Sequence, residues 1–513
     1  MSMVQTLATI TFVVAAAAPV RPQSPERYVP GEVLVKFAGG SKAAEASRLE
    51  GAETIEKFAD LGWQRVKLPK GMSVENGLKT LGKIAGVEAV QPNFYYYLLA
   101  TPNDPQFGST GTYGLSKISA PQAWDLTTGS SAVVVANIDT GIRYTHEDLA
   151  ANMWTNPAEI PNNGVDDDGN GFIDDYYGYD FFFNDSDPLD ENGHGTHTSG
   201  ILGAVGNNSL GVVGVNWTVR IMAIKIYNST GNGTTSAMLI NAYNYVRMMK
   251  NRGVNIRVTN NSYGGCDEAC GYDQATRDAL DAMGDAGILN VFAAGNDGRN
   301  IDNAPSYPAS YTSPSIVSVA NSNSIDTRNG SSNYGVESVD LAAPGTGILS
   351  TTNGSNSSYG LLTGTSMAAP QVTGAAALLA AYNPALSTAS LKASILNNVD
   401  RLLSWDGVVK TGGRLNVFAA LQNQTVCTLA LDQQSINAQT KGGVFSIGAT
   451  APQNCDYSVK SDSNWIHVSG PYTYSGAGSI AFRVAFNSTI TRTGAINIGG
   501  QVLTIKQSRA QNF

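Results

Sequence analysis

The chain has 513 residues, with 41 acidic against 32 basic side chains, a net charge of −9 and only 14% charged residues. An average soluble domain carries roughly 25%. Gly, Ser, Thr and Asn fill the gap, as suits a loop-rich extracellular protein. With no basic cluster to neutralise phosphates, the composition argues against nucleic-acid binding. The length allows about three domains.

Residues 7–18 are apolar and end in Ala16-Ala17-Ala18. That fits a secretory h-region with a small-residue cleavage site, although the first basic residue is only Arg21. A signal peptide over 1–20 and a secreted product are therefore expected. The segment is too short to span a bilayer, and no later stretch could. Strand alternation at 32–37 and 62–68, helical spacing at 75–84 and a further strand at 87–94 predict a small α+β unit within 21–99.

Short apolar runs at 132–138, 221–226, 256–260, 288–293 and 316–320 contain no turn residues, and helical stretches at 236–250 and 273–286 lie among them. Runs of this kind fit central strands of a parallel sheet buried on both faces. The alternation predicts an α/β, doubly wound parallel sheet over 100–422, with its site at the carboxyl ends of the strands. A linker at 422–425 leads to period-two runs at 444–448, 457–459, 465–468, 480–486, 495–498 and 502–505. These predict an all-β sandwich over 423–513. The four cysteines form two local pairs, Cys266 with Cys270 and Cys427 with Cys455. Without Cys-x-x-Cys spacing they favour disulfides over zinc, free thiol pairs being the alternative.

Three motifs carry chemistry: Asp139-Thr-Gly141, Gly193-His194-Gly-Thr-His197 and Gly364-Thr-Ser366-Met-Ala-Ala-Pro370. A serine hydroxyl needs a base to take its proton and a third group to orient that base. The order Asp…His…Ser differs from that of chymotrypsin-like enzymes and α/β-hydrolases, and is the order of subtilisin. Rival readings are weaker. No second Asp-Thr/Ser-Gly exists for an aspartic protease, no Glu stands between His194 and His197 for zinc, and Ala368 breaks the Gly-x-Ser-x-Gly elbow. Asp166-Asp-Asp168-Gly-Asn170 and Asp174 place oxygen ligands at alternating positions, much like an EF-hand opening that lacks its twelfth-position Glu.

Around all three motifs, over roughly 100–420, the sequence resembles the subtilisin-like serine proteases. The resemblance implies Ser366 as nucleophile, His194 as base, Asp139 as its orienting carboxylate, and Asn296 with the Ser366 N–H as oxyanion hole. It also implies pocket walls at Ser262, Tyr263 and Gly264 and at Ala293, Ala294 and Gly295, with Ser306 at the floor and a broad preference for large apolar side chains. Structural calcium (Ca²⁺) is expected at the 166–174 loop, at Asp180, Asp185 and Asp187, or at Asp148 with Asn208 in the loop 207–212. Gln371 stands where relatives commonly have His.

Residues 21–99 resemble the inhibitory propeptide of such enzymes, with processing expected within 95–100. Residues 423–513 resemble a BACON-type module, for which a glycan ligand or a plain spacer role are the alternatives. Protein or peptide substrates, the chain's own propeptide as inhibitor and a monomeric state complete the expectation. The rival from another class is a catalytically silent binding protein acting through the C-terminal module.

Overall fold

The computed structural model describes residues 28–37, 51–95, 100–264, 272–488 and 490–509. The expected signal segment, the Cys266–Cys270 pair and residues 96–99 of the expected processing stretch lie outside them. The chain divides into two compact units, one up to residue 98 and one from residue 99.

In the first unit, strands β1 (Tyr28–Phe37), β2 (Glu53–Phe58), β3 (Trp63–Lys67) and β4 (Val87–Phe94) form an antiparallel sheet in the order β2-β3-β1-β4. Helix α1 (Val74–Leu81) starts at Ser73, whose hydroxyl accepts from the Asn76 N–H. That bond satisfies one of the orphan donors of the first turn. Val33 and Val35 alternate onto the buried face and meet Val66, Leu68, Val74 and Leu81. The expected α+β unit is present, with β2 as a strand the sequence pattern did not reveal.

The second unit opens with two short helices, α2 (Tyr113–Lys117) and α3 (Ala120–Trp124). Its sheet contains β5 (Gly129–Asp139), β6 (Gly178–Asp180), β7 (Thr218–Lys225), β8 (Ile256–Asn261), β9 (Leu289–Ala293), β10 (Ile316–Ser322) and β11 (Leu341–Pro344), closed by β14 (Asp400–Arg401) and β15 (Gly413–Arg414). The order is β14-β15-β11-β10-β9-β8-β5-β7-β6, all parallel except at β14.

Both faces are covered, which is why the strands read as unbroken apolar runs. Val133 and Val135 pack with the alanine-rich α7 (Thr365–Tyr382), while Val134, Ala136 and Ile138 pack with α5 (Ser236–Asn251) and α6 (Gln274–Asp285). Helix α4 (His194–Gly203) lies against α7 and β5. A hairpin of β12 (Ile348–Thr351) and β13 (Tyr359–Leu362) stands outside the main sheet. The doubly wound α/β fold is as expected.

After α8 (Thr388–Leu396) and α9 (Val417–Gln422) the chain enters a two-sheet sandwich. One sheet joins β16 (Ala430–Leu431), β18 (Gly443–Thr450), β22 (Gly478–Val484) and β20 (Ile466–Val468). The other joins β17 (Ser435–Ala438), β24 (Gln501–Gln507), β23 (Arg492–Ile498), β19 (Asp456–Ser461) and β21 (Thr473–Ser475). Ile447, Val459, Ile480, Phe482, Ile496, Leu503 and Ile505 fill the space between. Cys427 and Cys455 form a disulfide.

The sandwich is docked on α8. The Cys427 N–H donates to Ser390 Oγ (2.9 Å), Asn397 donates to the Gln453 carbonyl (3.1 Å), and Lys392 Nζ meets Asp456 Oδ2 at 2.8 Å. Burial disfavours both charges of that last pair, yet each partner holds the other ionised: the Lys392 pKa is raised and the Asp456 pKa lowered.

Breaking a buried pair by removing one partner costs about 3–5 kcal/mol, because it strands the other charge. Asp456→Ala is therefore expected to lower stability by about that much in equilibrium urea denaturation. A loss under about 1 kcal/mol, the value for an exposed pair, would refute the buried-pair account.

Candidate active site

Side chains of a strand alternate between faces. In β5 the face toward α4 and α7 runs Val133, Val135, Asn137, Asp139, apolar in the middle of the sheet and polar at its carboxyl end. Asp139 is 2% exposed. Its Oδ1 accepts from the Thr140 N–H (2.8 Å) and faces His194 Nδ1 at 2.7 Å, while its Oδ2 accepts from Thr198 Oγ1 (3.2 Å). With Nδ1–H given to the carboxylate, the neutral ring keeps its lone pair on Nε2.

His194 can reach Asp139 because α4 starts unusually close to β5. A Cβ on Gly195 would lie 2.1 Å from the Gly141 carbonyl oxygen, so only glycine fits. The start itself is fixed by Asp190. Its carboxylate accepts from the N–H groups of Asn192, Gly193 and Thr196 and from the hydroxyls of Thr140 and Thr196, and negative charge is favoured at a helix N-terminus. Burial opposes the charged form of His194, but the Asp139 carboxylate, with a contribution from Asp190, outweighs it and raises the pKa above the usual 6.5.

Ser366 occupies the first turn of α7, where N–H groups lack helical partners. Pro370, inside the helix, has no N–H to give the carbonyl four residues back, which is that of Ser366. Ser262 Oγ supplies the missing donor at 3.0 Å, and Ser366 Oγ donates to the Ser262 carbonyl at 3.1 Å. Among the described residues no hydrogen bond joins Ser366 to His194. The Asp–His half of the constellation is closed and the His–Ser half is open, as is common without substrate. Beside Ser366, Asn296 Oδ1 accepts from the N–H (2.9 Å) and hydroxyl (3.1 Å) of Thr365. That turns its exposed Nδ2 amide toward solvent, with no partner among the described residues.

The expected pocket residues come from two neighbouring strand ends. Ser262, Tyr263 and Gly264 follow β8, while Ala293 ends β9 and Ala294 and Gly295 follow it. Ser306 Oγ lies 3.5 Å from where a Gly295 Cβ would stand. Two side chains point away from this gap. The Tyr263 hydroxyl pairs with Tyr243 (2.6 Å) and Asn261 (2.9 Å), and Ala294 packs with Ile301, Val339 and Trp405.

Two other histidines, His197 and His146, are buried and structural. His197 Nε2–H is shared between the carbonyls of Ile348 and Gly360, and burial pushes its pKa down to about 4. His146 is buried and bonded to the Ser358 carbonyl and the Asp148 N–H, with its pKa also lowered by burial.

The acidic residues sort into three groups. Asp148, fully buried, accepts from Asn208 Nδ2 (2.7 Å) and the Val212 N–H (2.8 Å). Asp104, which sequence reasoning missed, accepts from the Asn207 N–H (2.7 Å) of the same loop. Burial raises the pKa of both, and no lysine or arginine pairs with either among the described residues. Two buried carboxylates without a counter-charge fit a bound cation.

In the 166–174 loop, Asp166 is spent on the N–H groups of Asn170 and Gly171, and Asp174 on those of Asn163 and Gly164. Asn170 donates to Asp175. The carboxylates that converge are instead Asp168, Glu159 and Asp175, with oxygens within 4.8 Å of one another. Glu159 Oε2 is buried without a partner, Asp168 also meets Arg252, and burial pushes Asp175 up to about 6. Of the residues that the alternation picked out, Asp168 belongs to this group, and Glu159, which comes from a separate turn, was not among them.

Asp180, Asp185 and Asp187 do not converge on one point as the Glu159 group does among the described residues, and each has partners of its own. Lys225 Nζ meets Asp180 Oδ2 at 2.9 Å, although burial still raises the Asp180 pKa; Asp187 accepts from the Tyr144 hydroxyl, and Asp185 caps the Asp187 N–H.

Residues 130–464 match the family profile described as the Subtilase family, and residues 14–93 that of the Fervidolysin N-terminal prodomain. The chain is 38% identical over 322 residues to thermitase of Thermoactinomyces vulgaris, covering 63% of this chain and 99% of that protein. It is 32% identical over 396 residues to a thermophilic serine proteinase of Bacillus sp. (strain AK1), covering 77% and 88% respectively. A crystal structure of a cold adapted subtilisin-like serine proteinase aligns at 27% identity over 60% of this chain and 99% of that one, with a TM-score of 0.45.

The geometry sets an order of protonation. Imidazole NMR titration is expected to show His194 holding its proton above pH 6.5 while His197 stays neutral down to about pH 4. Asp139→Asn removes the carboxylate, leaves burial dominant and lowers the His194 value. A wild-type His194 that loses its proton at or below 6.5 contradicts this reading.

Proposed function

The chain belongs to the subtilase family of serine proteases and carries an N-terminal prodomain, and from that premise we propose that it is a secreted endopeptidase working through an acyl-enzyme. Ser366 Oγ attacks the peptide carbonyl while His194 Nε2 takes its proton, and Asp139 keeps the ring in the required tautomer. The tetrahedral oxyanion is met by Asn296 Nδ2 and the Ser366 N–H, donors already in place before charge develops. His194 then returns the proton to the leaving amine, and water clears the acyl group. The carrying observation is the closed 2.7 Å Asp139–His194 bond together with an Asn296 amide that Thr365 holds open beside Ser366.

The proposed layout is a signal peptide over 1–20, an inhibitory propeptide over 21–99, the catalytic domain over 100–422 and a BACON-type module over 423–513. Cleavage within 95–100 releases the mature enzyme, whose pocket takes large apolar side chains. Structural Ca²⁺ is proposed at Asp148 with Asn208 and Asp104, and at Asp168 with Glu159 and Asp175. There it would neutralise buried carboxylates and tie loops together, with no part in the chemistry.

Wild type is expected to shorten on expression and to be labelled by a fluorophosphonate at Ser366, whereas Ser366→Ala stays full length and unlabelled. Maturation of both to the same mass, or labelling elsewhere, defeats the assignment.

Calcium chelation is expected to lower the thermal midpoint. A site saturated at 100 times its Kd contributes about 2.7 kcal/mol, and Asp148→Asn should remove part of that dependence. An identical midpoint with and without chelator would refute both sites.

A further inference from the structure

We propose that Asn137 is a positioning residue for this reaction, setting the orientation of the base and the nucleophile together through one buried amide. The proposal rests on the protease reading above. Asn137 is fully buried near the carboxyl end of β5, with apolar side chains below it and Asp139 above. A buried amide costs stability unless fully bonded, and here it is. Its Nδ2 reaches the Gly195 carbonyl (3.0 Å), Thr198 Oγ1 (3.0 Å) and Ser199 Oγ (2.8 Å), all in α4. Its Oδ1 accepts from Asn260 Nδ2 (2.8 Å), its parallel partner in β8.

The bonds continue in both directions. Asn137 donates to Thr198 Oγ1, which leaves the Thr198 hydrogen to donate to Asp139 Oδ2, the oxygen that does not face His194. On the other side Asn260 Nδ2 also donates to Ser262 Oγ, whose hydroxyl bonds the Ser366 carbonyl freed by Pro370. Asn260 Oδ1 accepts from Thr373, two turns further along α7. The two helices that carry His194 and Ser366 are thus both tied to the same pair of amides, and these bonds do not depend on a His194–Ser366 contact.

The chain of donors has a consequence that simple loosening does not. Without the Asn137 N–H, the Thr198 hydroxyl loses the donor that orients it and is free to turn to the Gly195 carbonyl, already 3.1 Å away and then left with Ser199 Oγ as its remaining side-chain donor. Asp139 then loses a hydrogen bond that spreads its charge, and it holds protonated His194 more tightly. Asp190, from the turn before α4, and His197, one turn further on, also face His194, and both remain unchanged.

The test compares wild type, Asn137→Leu, Thr198→Val and the double variant as mature enzymes, scoring kcat, KM and the acid limb of kcat/KM against pH on a peptide substrate. Leu keeps the volume of Asn without its polar atoms. Asn137→Leu is expected to lower kcat by about 10- to 100-fold, the scale of a small misplacement, with KM unchanged and the acid limb moved to higher pH. Thr198→Val should move the limb the same way, and the double variant no further. Wild-type kcat and limb in a folded Asn137→Leu, activity lost only in step with thermal stability at a fixed limb, or additive limb shifts each overturn the proposal. If Asn137→Leu does not fold, an unmoved limb in Thr198→Val overturns it. Wild type that is neither active nor labelled at Ser366 defeats the protease reading itself, and the proposal with it.

Discussion

How closely α4 lies against the end of β5 decides whether the site can exist. A hydrogen bond of 2.7 Å between His194 and Asp139 needs a helix backbone almost touching the loop after the strand, and Gly195 against the Gly141 carbonyl allows it. Asp190 converts that closeness into a fixed helix start by accepting from three N–H groups and two hydroxyls around the first turn. A carboxylate in that place satisfies orphan donors and complements the helix dipole at once. The proposed base is therefore set by backbone geometry and one cap, neither of which touches substrate.

The second helix solves a different accounting problem. A proline within α7 removes the partner of one carbonyl, an arrangement that costs about 3 kcal/mol in a helix interior. In the first turns the cost is smaller, and the freed Ser366 carbonyl is bonded by Ser262 from β8. The gap in the helix thus becomes the tie between the nucleophile's peptide and the sheet. Polar residues at the carboxyl ends of β5 and β8 meet such needs, while Val133 to Val135 and Val258 further down the same strands are buried in the core. This division lets one sheet be both a core and a rigid support.

Much of this was legible in the sequence. The runs at 132–138, 221–226, 256–260, 288–293 and 316–320 each became a strand of the parallel sheet, because a strand buried on both faces has a signature its neighbours cannot blur. Strands of two to four residues, such as β6, β14 and β15, are too short to carry a period. The pairing of Asp180 with Lys225 was not legible, since Lys225 lies on another strand. Glu159 and Asp104 were overlooked for the same reason: convergence from separate turns leaves no spacing to read. Tyr263 stands at the expected wall, but its hydroxyl bonds to Tyr243 and Asn261 turn the ring into the core. Asn137 had a visible signal, a lone amide in an apolar run two residues before the acid, whose meaning depended on residues far away in the chain.

What remains unformed at the site is small. Ser366 Oγ rests on the Ser262 carbonyl instead of His194. Turning it to His194 exchanges one hydrogen bond for another, each with a net value of about 1 kcal/mol. The groups that would be costly to rearrange are already held, His194 by Asp139 and Asn296 by Thr365. Donors fixed before the reaction incur no reorganisation as charge develops, which is the condition for strong transition-state stabilisation. For these groups the cost of order was met when the chain folded.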